Sequence, residues 1–194
     1  YPVNDVAMVG ELHIGPYQGR DRHLYRLSAG IAANASDRAE TSKISFATIG
    51  DYLRDPEGYD ADSSWRNVIS ELAGPDAAAY ARFAENAQSS CLAVDDAPTL
   101  GSVINAAWLE FGKGELATGC QLLNDFAALI DDTVAQLLGG DVHNSRLIEQ
   151  SRPWIEQYGR GAAALRQVAA LVSGGLSPEV ARSALRPMTH QAAF

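Results

Sequence analysis

The sequence predicts an all-α protein, a bundle of about six to seven helices preceded by an irregular N-terminal arm, and three observations carry that prediction. From Ser36 onward, apolar residues recur at helical spacing to the end of the chain. Gly, Pro and Asp punctuate that pattern where helices should start and stop, and from residue 36 to about 186 no stretch shows the period-two alternation of a strand. The length of 194 residues and the 46% hydrophobic content suit one ordinary core with an attached arm, and leave little room for two full domains.

Residues 1–35 read differently from the rest. They carry Pro2, Pro16, Gly10, Gly15, Gly19 and Gly30 and only short apolar pieces such as Val6 to Val9, so the arm is expected to be irregular and poorly ordered by itself. Asn34, Ser36 or Asp37 can cap a first helix running through Ile44, Thr48, Tyr52 and Leu53 and stopping before Asp55-Pro56. Asp60 caps a second, whose Trp65, Val68, Ile69 and Leu72 share one face and which ends at Gly74-Pro75. A third carries Tyr80, Phe83, Ala84 and Ala87. After a loop from Ser89 to Asp96, Pro98 opens a fourth with Val103, Ile104, Ala107, Trp108 and Phe111.

Gly112 and Gly114 interrupt that helix. The fifth carries a stripe from Leu122 through Phe126, Leu129, Ile130 and Val134 to Leu137, and ends at Gly139-Gly140. Asn144 or Ser145 caps the sixth, with Leu147, Trp154, Tyr158, Leu165, Val168 and Val172, and Pro153 should kink or break it. Gly174-Gly175 ends it, and Ser177-Pro178-Glu179 starts a short final helix.

Composition excludes some functions. A net charge of -9 disfavours nucleic acid, which is bound through clustered Lys and Arg, and points to neutral or acidic partners. No apolar run approaches the roughly 20 residues a membrane-spanning helix needs. The four histidines have no metal-ligand spacing, so neither a metal nor another cofactor is expected. Cys91 and Cys120 permit one disulfide, worth about 3 kcal/mol in the chain-entropy model, or two buried free thiols. Asp95-Asp96 and Asp131-Asp132 are expected to serve helix starts and solvated faces.

Several local sequences point further. The run Asp51-Tyr-Leu-Arg-Asp-Pro-Glu-Gly-Tyr-Asp-Ala-Asp-Ser-Ser-Trp65, with Ala39-Glu-Thr-Ser-Lys43 before it, resembles the segment after the catalytic barrel in O-GlcNAcase and bacterial hyaluronidase-type β-N-acetylglucosaminidases, glycoside hydrolase family eighty-four. Tyr1-Pro-Val-Asn-Asp5, Gly15-Pro16, Gly19, Asp21, Gly30 and Asn34 resemble the last sugar-binding stretch of that family's barrel. The resemblance is specific over residues 1 to about 92, and beyond them it is one of helical character.

The resemblance implies a division at residue 35, with 1–35 as the end of a (β/α)8 barrel and 36–194 as a post-catalytic helical bundle. It implies a parent enzyme that removes terminal N-acetylglucosamine with retention, using the sugar's own acetamido group, so the glycan and the upstream barrel are the expected partners. Both catalytic aspartates would lie upstream, so this chain is expected to be inactive alone. Asp5 matches the aspartate that accepts hydrogen bonds from the sugar's outer hydroxyls, and Asn34 matches a family asparagine that donates and accepts at the same sugar. Asn34-Ala-Ser36 departs here from the family's Asn-Pro-Met. A bacterial, secreted or extracellular parent is implied. The competing reading is a stand-alone helical module that binds a protein partner or itself through a surface the barrel would otherwise cover.

Overall fold

The computed structural model describes residues 10, 12–34, 37–88 and 97–174. Its helices are α1 (Ala39–Arg54), α2 (Ala61–Ala73), α3 (Ala77–Ala84), α4 (Pro98–Gly112), α5 (Leu116–Leu138) and α6 (Ser145–Val172), so the chain is all-α as the periodicity predicts. Short 3₁₀ turns at Gly74–Asp76 and Glu85–Ala87 flank α3, and another at Leu24–Arg26 sits in the arm.

Local chemistry sets most of the boundaries. The Asp60 carboxylate accepts from the Ser63 N–H at 2.8 Å and starts α2. Gly74 ends it at φ +54°, where an added Cβ would also lie 2.8 Å from the His143 ring, so the turn demands glycine twice over. Pro98 is the first residue of α4, and α5 stops before Gly139. Asn144 Oδ1 accepts from the Leu147 N–H at 3.1 Å, while its Nδ2 donates to the Leu72 carbonyl at 3.2 Å, so one cap starts α6 and ties it to α2.

Helices α5 and α6 form an antiparallel hairpin. Leu137 and Leu147 share a core cluster beside the connecting loop, and Leu123 and Ala169 share another at the far end. Helix α4 lies along the first half of α5. The main core gathers Ile44 of α1, Trp65 and Ile69 of α2, Tyr80 and Phe83 of α3, and Leu147 and Ile155 of α6.

Four expectations change. Helix α1 has Arg38 at its N-cap with no capping bond from the Arg38 side chain; the acceptor comes instead from α6, where Gln150 Oε1 takes the N–H groups of Glu40 and Thr41 at 2.8 and 3.3 Å. Pro153 does not break α6, because it sits on the exposed face, where water can satisfy the carbonyl left without a donor. On α4, Ala107 faces inward and Trp108 points outward, 69% exposed. The arm, finally, joins the core: Leu12 and Ile14 are buried in the main cluster, each burial worth about 1.5–3 kcal/mol, and Tyr17 is buried in a second cluster with Ile49 and Tyr52. Bundle side chains supply the partners that order its described part. The loop 89–96 and the short helix expected from Ser177 lie outside the described residues.

Candidate functional site

Among the described residues that carry the family resemblance, Gly15, Asp21, Tyr52, Tyr59 and Trp65 meet at the seat of the arm along α1 and α2. Helix α1 turns an unusual face toward it. Thr41, Ser45, Thr48 and Tyr52 are all buried and fall on one stripe, and three of them bond the arm or its neighbours. A polar stripe of this kind cannot be buried against an apolar helix without cost, and here it receives irregular backbone, whose own N–H and C=O groups need partners.

The bonds follow in chain order. The Trp154 indole N–H donates to the Gly10 carbonyl at 3.0 Å. Ile14 donates through its N–H to the Ala87 carbonyl at 2.9 Å and accepts at its own carbonyl from the Trp65 indole at 2.7 Å. Ser45 Oγ donates to the Gly15 carbonyl at 2.9 Å. The Tyr17 N–H donates to Thr48 Oγ1 at 2.9 Å, and the Thr48 hydroxyl in turn donates to the Ser45 carbonyl at 2.8 Å. The Tyr59 hydroxyl reaches the Tyr17 carbonyl at 2.6 Å, and that of Tyr52 reaches the Asp21 carbonyl at 2.7 Å. Trp65, Tyr59 and Tyr52 thus hold the carbonyls of residues 14, 17 and 21. Their rings add packing, with Tyr17 and Tyr52 centroids 5.0 Å apart and Tyr52 and Tyr59 edge-to-face at 5.6 Å.

Burial, with the nearby Tyr17 and Asp21, raises the Tyr52 phenol above its ordinary pKa, so the hydroxyl keeps the proton it donates. Farther along, Glu57 Oε1 accepts from the Tyr25 hydroxyl at 3.2 Å and faces Arg26 at 3.9 Å, an exposed tether of the arm to the α1–α2 loop.

Gly15 has a packing reason. A Cβ there would lie 2.0 Å from the Gln88 carbonyl oxygen, a backbone atom that cannot swing aside. Gly15→Ala is expected to cost about 1–3 kcal/mol. An unchanged melting temperature would show that the arm does not lie against Gln88.

Of the sequence-predicted residues, Asn34 is at the exposed end of the described arm and Asp5 lies outside the described residues. The Cys120 thiol donates to the Ala169 carbonyl at 3.2 Å, and Cys91 is likewise outside the described residues. Asp131 pairs with Arg166 at 2.5 Å on the exposed face of α5 and α6, while Asp95-Asp96 falls in the undescribed loop. Among the described residues, no group of three or more His, Cys, Asp or Glu could hold a metal ion, and no helix is long and apolar enough to cross a membrane. Periodicity did not reveal Ser45, Thr48, Gln150 and the indole N–H of Trp154, although the buried hydroxyl stripe of α1 was a usable signal for the first two.

A family model described as beta-N-acetylglucosaminidase matches residues 1–85. Among solved structures, a mutant O-GlcNAc hydrolase from Thermobaculum terrenum is 30% identical, with a TM-score of 0.84 over 99% of this chain and 42% of that one. The protein named CpGH84B, 22% identical, shares the fold with a TM-score of 0.80 over 100% of this chain and 36% of its own. This chain therefore spans less than half the length of either structure. With its arm and first helices matching the β-N-acetylglucosaminidase family model and its bundle superposing on the O-GlcNAc hydrolase, the chain has the fold of the helical domain found in enzymes of glycoside hydrolase family eighty-four.

Proposed function

We propose that this chain supplies the sugar-contacting end of the barrel and the helical support of a retaining β-N-acetylglucosaminidase that acts on terminal N-acetylglucosamine. The single observation that carries the proposal is the fixed seat of the arm: Trp65, Tyr59 and Tyr52 hold the carbonyls of Ile14, Tyr17 and Asp21 at 2.6–2.7 Å, inside the region matched by the family model. A loop that must present hydroxyl-binding groups to a sugar has to be held in place, since a misplacement of about 1 Å can cost on the order of a hundredfold in rate.

In this reading the Asp5 carboxylate, an acceptor only, takes hydrogen bonds from outer hydroxyls of the sugar, and the Asn34 amide donates and accepts at the same ring. The acetamido carbonyl of the substrate attacks the anomeric carbon. One of two neighbouring aspartates upstream of this chain orients that amide, and the other protonates the leaving oxygen. The helices keep the sugar-contacting segment in register with that pair.

The test uses the enzyme comprising this chain and its upstream barrel, assayed on an aryl N-acetylglucosaminide. Asp5→Asn and Asn34→Ala are each expected to raise KM by roughly tenfold to a hundredfold, the worth of one or two hydrogen bonds to a bound polar group. The 194-residue chain alone is expected to give no turnover above the blank. Unchanged KM values in both variants would remove the sugar-contact assignment, and turnover by the chain alone would overturn the upstream placement of the catalytic pair.

A further inference from the structure

The geometry points to Trp154 of α6 as a positioning residue that fixes the start of the described arm at Gly10 and the approach to α1 at Arg38 to one helical turn; its bearing on sugar binding rests on the roles proposed above for Asp5 and Asn34. The indole is used on two sides. Its N–H edge donates to the Gly10 carbonyl at 3.0 Å, and its face receives the Arg38 guanidinium, whose carbon lies 4.7 Å from the ring centroid. Along the sequence, Gly10 follows Asp5 closely and Arg38 follows Asn34 closely. Two segments distant in the chain therefore meet on one side chain.

The rest of that turn does the same work. Arg38 Nη1 donates to the Gln150 carbonyl at 3.2 Å, and the Gln150 side chain caps α1 at Glu40 and Thr41. Residues 150 and 154 lie one turn apart on the same face of α6, so the start of α1 and the start of the described arm share a platform. Tryptophan combines a broad electron-rich face with an N–H donor on the ring edge, whereas phenylalanine keeps a face but loses the donor. Core filling accounts for only part of Trp154, which packs against the edge of the main cluster. It is only half-buried, whereas its neighbour Ile155 is completely buried and fills the core at that level.

The test combines amide hydrogen exchange with kinetics on the enzyme that includes the upstream barrel. Trp154→Phe removes the donor and keeps a ring under Arg38; Trp154→Ala removes both. Trp154→Ala is expected to speed exchange about tenfold in peptides covering both 12–18 and 37–42, without altering peptides from the middle of α5. Trp154→Phe should affect the first segment more than the second. KM for the aryl N-acetylglucosaminide should rise about tenfold in Trp154→Ala, with a smaller change in kcat, and the rise should be largely absent when Asp5 is already Asn. Loss of protection in one segment only, or in neither, overturns the proposal, as does a KM effect that adds in full to that of Asp5→Asn. If Asp5→Asn itself leaves KM unchanged, the sugar-contact reading fails, and the exchange data still decide whether Trp154 joins the two segments.

Discussion

Replacing Trp65 by alanine is expected to lower the free energy of unfolding by about 3–5 kcal/mol, the range for deleting a large aromatic side chain from a packed core. Trp65 is 5% exposed and packs in the cluster that holds Ile14, Ile69 and Phe83, so truncation leaves a cavity where the arm meets α2. It also strips the donor from the Ile14 carbonyl, at a residue with no exposed surface. That second loss can be isolated. Trp65→Phe keeps much of the apolar volume but not the N–H, and is expected to cost about 1–3 kcal/mol, the penalty for leaving a buried acceptor unsatisfied. Urea unfolding followed by far-UV circular dichroism reads both, as a fall in midpoint at nearly constant slope. A loss under about 1 kcal/mol for Trp65→Ala would mean that the arm is not part of the cooperative core.

The Trp65 contact also shows where the sequence was legible and where it was not. Helix ends set by short-range chemistry could be read directly: the Asp60 and Asn144 caps, the turn at Gly74, the start at Pro98 and the stop at Gly139 each involve residues within a few positions of one another. The arm could not, because its order comes from Thr48, Trp65 and Trp154, which are distant in sequence. Glycines and prolines report that a segment is neither helix nor strand, and they say nothing of what it packs against. The start of α1 illustrates the same limit. Three residues with good capping side chains precede it, and a glutamine from α6 does the capping. At the candidate site, the motif from Asp51 to Trp65 contains the aromatic residues whose hydroxyl and indole donors hold the arm, but as a resemblance it did not say what they hold. Trp154 sits in an otherwise ordinary amphipathic stripe, and nothing local distinguishes it from packing.

A second large effect is expected at alkaline pH, from Tyr80. This residue is completely buried, and its hydroxyl shares a hydrogen bond of 2.8 Å with that of Ser151, which is buried as well. Burial raises the phenol far above its ordinary pKa, and the bond to Ser151 offsets only part of that rise. In the unfolded chain the phenol releases its proton near pH 10, whereas in the folded chain it holds it. Above pH 10 the unfolded state therefore binds fewer protons than the folded one, and the unfolding free energy falls as pH rises, by about 1.4 kcal/mol per pH unit for this one group. Stability from this source is complete below about pH 10 and decreases toward the folded-state value, with a loss of about 2–3 kcal/mol by pH 12. Tyr52 and Tyr158, raised mainly by burial too, act in the same direction. Tyr80→Phe separates this residue from other alkaline effects. At pH 8 the variant should be about 1–2 kcal/mol less stable than the parent, because Ser151 loses its partner inside the core, and Tyr80→Phe with Ser151→Ala should recover part of that loss. As pH rises through 11 the curves of parent and Tyr80→Phe should converge and then cross, since only the parent has a phenol that ionises on unfolding. Parallel curves from pH 8 to 12 would show that Tyr80 is hydrated in the folded chain, and the packing of α3 against α6 would then have to be looser than the bond to Ser151 requires.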